Sequence, residues 1–195
     1  MSSSRVRIIN SFLLAFRLLD QGRAAFFTLE KSHAALLVAA ARPGSFSQLF
    51  TNGARWMHGT YGALHGSVPP FPVAVRWERY GWWKYGISAA GAALAFAVPT
   101  PFWAQMGLFL AVFYAIEVQL LFLFPLLIFG VPAPVRTSVR MVWRVGFFRA
   151  WLTTIVLAAY MLAGLLRWRS PLRHWCIGCL CVVLWANKLY TVRDS

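Results

Sequence analysis

Acidic side chains are scarce in this chain. Its 195 residues hold 5 Asp and Glu against 19 Lys and Arg, a formal net charge of +14. Only Asp20, Glu30, Glu78, Glu117 and Asp194 are acidic, and no carboxylate lies between Val118 and Arg193. Arg136, Arg140, Arg144, Arg149, Arg167, Arg169, Arg173 and Lys188 all fall inside that gap. Internal salt bridges cannot neutralise them. Their countercharge must come from lipid phosphates, acidic partner chains or solvent.

Charge of either sign is sparse as well. Charged residues make up 12% of the chain and hydrophobic ones 59%, whereas a soluble domain is about a quarter charged. That composition excludes an ordinary soluble domain, and it is too apolar for a disordered chain. The basic residues are separated by long apolar stretches that no water-facing surface would carry, which excludes a nucleic-acid binder. Catalytic supply is thin too. There is no phosphate-cradling glycine loop with a Lys, no G-x-S-x-G elbow and no close pair of carboxylates. General acid–base chemistry has few groups to draw on. The expectation is a chain without catalytic activity, cofactor or metal.

What is present is membrane material. Between Lys84 and Arg136 the only charge is Glu117. That run is too long for one span, since about 20 apolar residues cross a bilayer. Pro99-Thr100-Pro101 is its natural break, because proline removes a donor and restricts the residue before it. The reading is an all-α membrane protein with about four transmembrane helices, near 82–98, 102–129, 146–166 and 171–190. Pro125 is expected to kink the second. The first two could instead form a re-entrant hairpin. Trp and Tyr cluster at the span edges, as at bilayer interfaces: Trp82, Trp83, Trp143, Trp151, Trp168, Trp175 and Tyr190.

Two segments precede the spanning region 82–195. Residues 1–42 read as an amphipathic helix with its apolar stripe on Ile8, Ile9, Phe12, Leu13, Phe16 and Leu19, ending at Arg42-Pro43-Gly44. Residues 43–81, rich in glycine and proline, read as an irregular connector on the membrane surface. The start resembles a mitochondrial targeting segment, being Arg- and Ser-rich and poor in acids, and is expected to stay on the chain. With four spans, 16 basic residues fall on the side of the N-terminus and 3 on the other (Arg167, Arg169 and Arg173). The basic side is then the mitochondrial matrix or the bacterial cytoplasm.

Candidate sites are few. Glu117, near mid-span, would cost roughly 3 kcal/mol unpaired. Arg149, Thr153, Thr154, Gln119 or a partner subunit could pair it, or it could carry protons in a small transporter. Arg76, Arg79, Lys84, Arg136, Arg140 and Arg144 stand at span ends, where head groups of anionic lipid such as cardiolipin are met. The last three recur every fourth residue and share one helical face. Gly86, Ser88, Ala89, Ala90, Gly91, Ala92 and Ala93 make the first span slim, so another helix could approach it closely.

Cys176, Cys179 and Cys181 lie with His174 in H-W-C-I-G-C-L-C. Positions two apart on a helix point to different sides, which disfavours one metal site. The C-x-x-C of Cys176 and Cys179 at the start of a membrane helix resembles the redox pair of the vitamin K epoxide reductase family, which is built on a membrane four-helix bundle. The resemblance covers those two residues and implies a thiol oxidoreductase. That family's second, loop-borne pair has no counterpart here. Buried free thiols are the alternative. His33, His58, His65 and His174 read as surface or packing residues. Taken together, the sequence points to a non-catalytic accessory subunit. It would scaffold a membrane complex of the mitochondrial inner membrane, respiratory or ATP-synthase, through lipid and partner subunits.

Overall fold

The computed structural model describes residues 2–40, 48–66, 70–166 and 171–191. The Arg42-Pro43-Gly44 stop, Arg167, Arg169 and Arg193 lie outside them. Among the described residues the chain is all-α. The helices are α1 (Ser2–Ala40), α2 (Leu49–His65), α3 (Trp77–Ala93), α4 (Phe102–Glu117), α5 (Leu123–Ile128), α6 (Pro134–Val145), α7 (Phe147–Leu165) and α8 (Pro171–Thr191). A helix stands at each stretch expected to span. Among the described residues two stretches, Phe102–Ile128 and Phe147–Gly164, are long and apolar enough to cross a membrane.

α1, α7 and α8 pack together. α7 and α8 are antiparallel, with Gly164 against His174 and Gly178 against Met161. α1 lies along both through Ser11, Ala15, Leu18, Leu19, Gly22, Phe26 and Leu29, all buried. The expected apolar stripe is split: Leu19 is buried in this contact. Ile9, Phe12, Leu13 and Phe16 face outward, from 40% to 57% exposed. The buried stripe needs small residues, Ser11, Ala15 and Gly22, among Leu18, Leu19, Phe26 and Leu29. Gly22 shows why: a Cβ there would meet the Cys181 sulfur and stand 3.1 Å from the Ile177 carbonyl. Bare backbone lets the two helices touch. Cys181 Sγ donates to Leu18 O at 3.0 Å, and Thr153 Oγ1 to Ser11 O at 3.4 Å.

The second expected span is broken, as Pro125 requires. α4 ends at Glu117, a 3-10 turn covers Val118–Leu120, and α5 resumes at Leu123. Pro125 has no N–H and its ring crowds the carbonyl four residues back. Ser138 of α6 mends the break. Phe122 N donates to Ser138 Oγ at 3.2 Å, and that hydroxyl donates to Gln119 O at 2.8 Å. Beyond the break every residue from Leu120 to Ile128 is buried. Leu121, Phe122 and Leu126 face one apolar cluster with α1, α7 and α8. Leu123, Phe124 and Leu127 face a second with Ala54 and Trp77. An element apolar on all sides becomes the central rod.

The connector 43–81 is not irregular throughout. Leu49–His65 is a helix despite Gly53, Gly59 and Gly62. Tertiary packing overrides the propensity cost: Ala54, Trp56 and Thr60 are buried. Glu78 of α3 accepts from Thr51 N at 2.9 Å. A carboxylate from another helix thus caps the first turn of α2 and meets its positive end. The chain then turns through Val73–Val75 into α3.

Candidate functional site

α3 and α4 form an antiparallel helical hairpin. Lys84, Ser88 and Ala92 of α3, with Ala95 in the 3-10 extension Leu94–Ala97, are its buried seam, spaced to lie on one face. Small residues there let α4 come close; a Cβ at Gly91 would meet Ile116. At the base of the hairpin, Lys84 Nζ and Glu117 Oε1 are 2.7 Å apart, with side-chain exposures of 5% and 10%. This is the one ion pair formed between described residues. The Lys84 ammonium also lies 5.2 Å from the Tyr85 ring centroid and 6.0 Å from that of Phe124, within cation–π range.

Two expectations are corrected by this pair. Lys84 is not at a head-group surface; it is buried and spent inside the chain. The partner of Glu117 is none of the residues considered for it. Arg149 is exposed, Thr153 bonds Ser11 O, and Thr154 bonds Ala150 O. An acid locked to an ammonium is a poor proton carrier, because neutralising either leaves the other buried and unpaired. The arrangement suits a structural clamp.

The remaining basic candidates do face outward. Arg76 and Arg79 are exposed at the start of α3. Arg136, Arg140 and Arg144 are exposed on one face of α6, beside Trp143 at 63% exposure. Ser138, Met141 and Val142 occupy its buried face. A small cleft, about 70 Å³, opens between α6 and α8, lined by Thr137, Arg140, Met141, Arg144, Leu189 and Tyr190. It offers two guanidinium groups and two hydroxyl-bearing side chains to an anionic group.

Other cations sit on aromatic rings. The Arg173 guanidinium carbon is 4.5 Å from the Phe27 centroid, Arg55 is 5.7 Å from Phe71, and Arg23 is 5.1 Å from Tyr160. A chain with few acids uses the negative face of the ring instead. The sequence signal for this was the joint excess of Arg and aromatics.

Cys176 and Cys181 are buried and Cys179 is half-buried; all three are free thiols. Cys181 serves the α1–α8 contact. The histidines also pack. His58 meets the Phe71 ring edge-on and His174 lies beside Tyr160. His65 stacks on Tyr61 with centroids 4.1 Å apart. Tyr61 Oη donates to Asn187 Oδ1 at 2.8 Å, and Asn187 Nδ2 is 3.3 Å from His65 Nε2. This polar clasp between α2 and the end of α8 had no sequence signal, because Asn187 is more than 120 positions from Tyr61 and His65. No protein-family model, curated protein or solved structure matches this chain.

Proposed function

We propose that this chain is a non-catalytic accessory subunit that scaffolds a larger membrane complex. The complex is placed in the mitochondrial inner membrane, as part of the respiratory chain or ATP synthase, with the N-terminus in the matrix. The observation that carries the scaffold reading is the outer face of α1. Ile9, Phe12, Leu13 and Phe16 form an exposed apolar strip opposite the buried stripe. Soluble monomers rarely leave such a strip open, so lipid or a neighbouring subunit covers it. The Arg residues of α6 add a demand for external negative charge, met by anionic lipid such as cardiolipin or by acidic neighbours. The mitochondrial placement rests on the Arg- and Ser-rich, acid-poor start.

Affinity purification in mild detergent, followed by native gel and mass spectrometry, tests the reading. Co-migration with a large membrane complex is expected. A monodisperse, biologically active monomer would overturn it.

A further inference from the structure

From Tyr85 to Ile116 the chain carries no charged residue, and this stretch is the α3–α4 hairpin. Its exposed residues surround it. On α3 and its 3-10 extension they include Ile87, Leu94 and Phe96, and on α4 Trp103, Met106 and Leu108. The narrow seam between the two helices is covered, and near the base Phe50 of α2 packs on Trp82 and Tyr85; the outer part of the hairpin is open. A protein partner covers one face of a hairpin. Apolar exposure around the whole circumference calls for a surrounding apolar solvent.

The tip is built for the same solvent. Pro99 and Pro101 have no N–H to satisfy. Val98 N donates to Ala95 O, Thr100 N to Val98 O at 2.8 Å, and Ala104 N to Pro101 O at 2.8 Å. Gln105 folds back, its Nε2 donating to Val98 O at 2.9 Å. The turn thus satisfies these backbone groups internally, with Phe102 and Trp103 exposed at 70% and 76% beside it. Backbone in hydrocarbon must meet that condition.

Length and charge fix how far it goes. Exposed Trp82 and Trp83 mark the base, next to exposed Arg76 and Arg79. Arg pairs with lipid phosphate at the head-group level, which puts Arg76 and Arg79, with the neighbouring Trp82 and Trp83, at that level. From those tryptophans to Val98 the arm reaches about 24 Å, whereas the hydrocarbon core is about 30 Å thick. We propose that the α3–α4 hairpin is re-entrant. It enters an anionic bilayer from the side of Arg76 and Arg79 and ends inside it, with Pro99–Trp103 in the acyl layer and the Lys84–Glu117 clamp at its neck. This rests on the membrane reading above but needs no particular complex.

The test uses the full chain in vesicles of phosphatidylcholine with anionic phospholipid. Thr100→Cys and Arg79→Cys are each probed with a membrane-impermeant maleimide, from outside and after vesicle opening. Arg79→Cys should label from one side. Thr100→Cys should label from neither side and become reactive in detergent, and a fluorophore attached there before reconstitution should be spared by a head-group nitroxide. Quenching by an acyl-chain nitroxide is the positive signal. Labelling of Thr100→Cys from the side opposite Arg79→Cys means full crossing and overturns re-entrance alone. Labelling from the same side puts the hairpin in water and overturns it too. Protection that persists in detergent means a protein cover, such as a second copy, and also overturns it. Failure of the chain to enter vesicles would overturn both this inference and the membrane reading.

Discussion

Lys84 Nζ and Glu117 Oε1 stand 2.7 Å apart between two helices of a hairpin that carries no other charge from Tyr85 to Ile116. The pair closes the neck of that hairpin, where α3 and α4 meet the central rod. Burial costs each ion several kcal/mol, recovered only while both are present.

Removing one partner should therefore cost more than removing both. Lys84→Met or Glu117→Gln alone should destabilise the chain by about 3–5 kcal/mol, because one polar partner stays buried without its mate. Lys84→Met with Glu117→Leu should return to wild-type stability or exceed it. Thermal unfolding in detergent, followed by tryptophan fluorescence, gives the cycle. Additive losses in the double variant would show that the two residues do not act as a pair.

The glycines should split into two classes. Gly22→Leu drives a side chain into Cys181 and the Ile177 backbone, an overpacking cost of about 1–3 kcal/mol. Gly53→Ala and Gly59→Ala meet nothing within 4 Å on a helix. Each should stabilise by about 0.4–1 kcal/mol through the unfolded chain. The same melts read all three. A stabilised Gly22→Leu would remove the close α1–α8 contact from the fold.

Helix ends were legible because backbone chemistry sets them locally. Pro99-Thr100-Pro101 breaks the long apolar run, and Gly146 separates α6 from α7 at φ 95°, a conformation that favours glycine. Which face is buried was not legible. The apolar stripe joined Leu19 to Ile9, Phe12, Leu13 and Phe16, whereas the fold buries Leu19 with Ser11, Ala15 and Gly22 and leaves the other four outside. Close helix packing selects small residues, and apolar bulk has no need to hide from lipid. Lys84 misled for a related reason. At a span end it reads as a head-group ligand, and only the antiparallel return of α4 brings Glu117 to it. α2 was missed because its glycines weigh locally, whereas its stability comes from Trp56 and Ala54 packing and from a cap on α3.

Tyr61 should give the clasp an alkaline limit. Burial raises its pKa above the ordinary 10.0, so the fold prefers the neutral phenol that donates to Asn187. A raised folded-state pKa gives stability that is fully present below 10 and is lost as the pH climbs through the folded value. Tyr61→Phe should cost about 1 kcal/mol near neutral pH and remove this residue's share of the alkaline loss. Melting temperature against pH for both proteins is the measurement. Parallel alkaline declines would exclude Tyr61 as a source.

The α6 face should bind anionic lipid in proportion to its exposed charge. Each Arg near a membrane surface adds about 1 kcal/mol of attraction. Arg136→Gln, Arg140→Gln and Arg144→Gln together should then weaken recruitment of anionic lipid by about 100-fold, since 1.4 kcal/mol is a factor of ten. Raising the salt should shrink the difference, because exposed charges are screened. Native mass spectrometry of retained lipid, or titration of anionic lipid into detergent-solubilised protein, reads the change. The buried pair supplies the control: Lys84→Met with Glu117→Leu leaves the surface charge and the net charge of +14 unchanged, so its lipid affinity should match wild type. A loss there equal to that of the α6 variant would mean that a disturbed fold, rather than the lost charge of α6, weakens lipid binding.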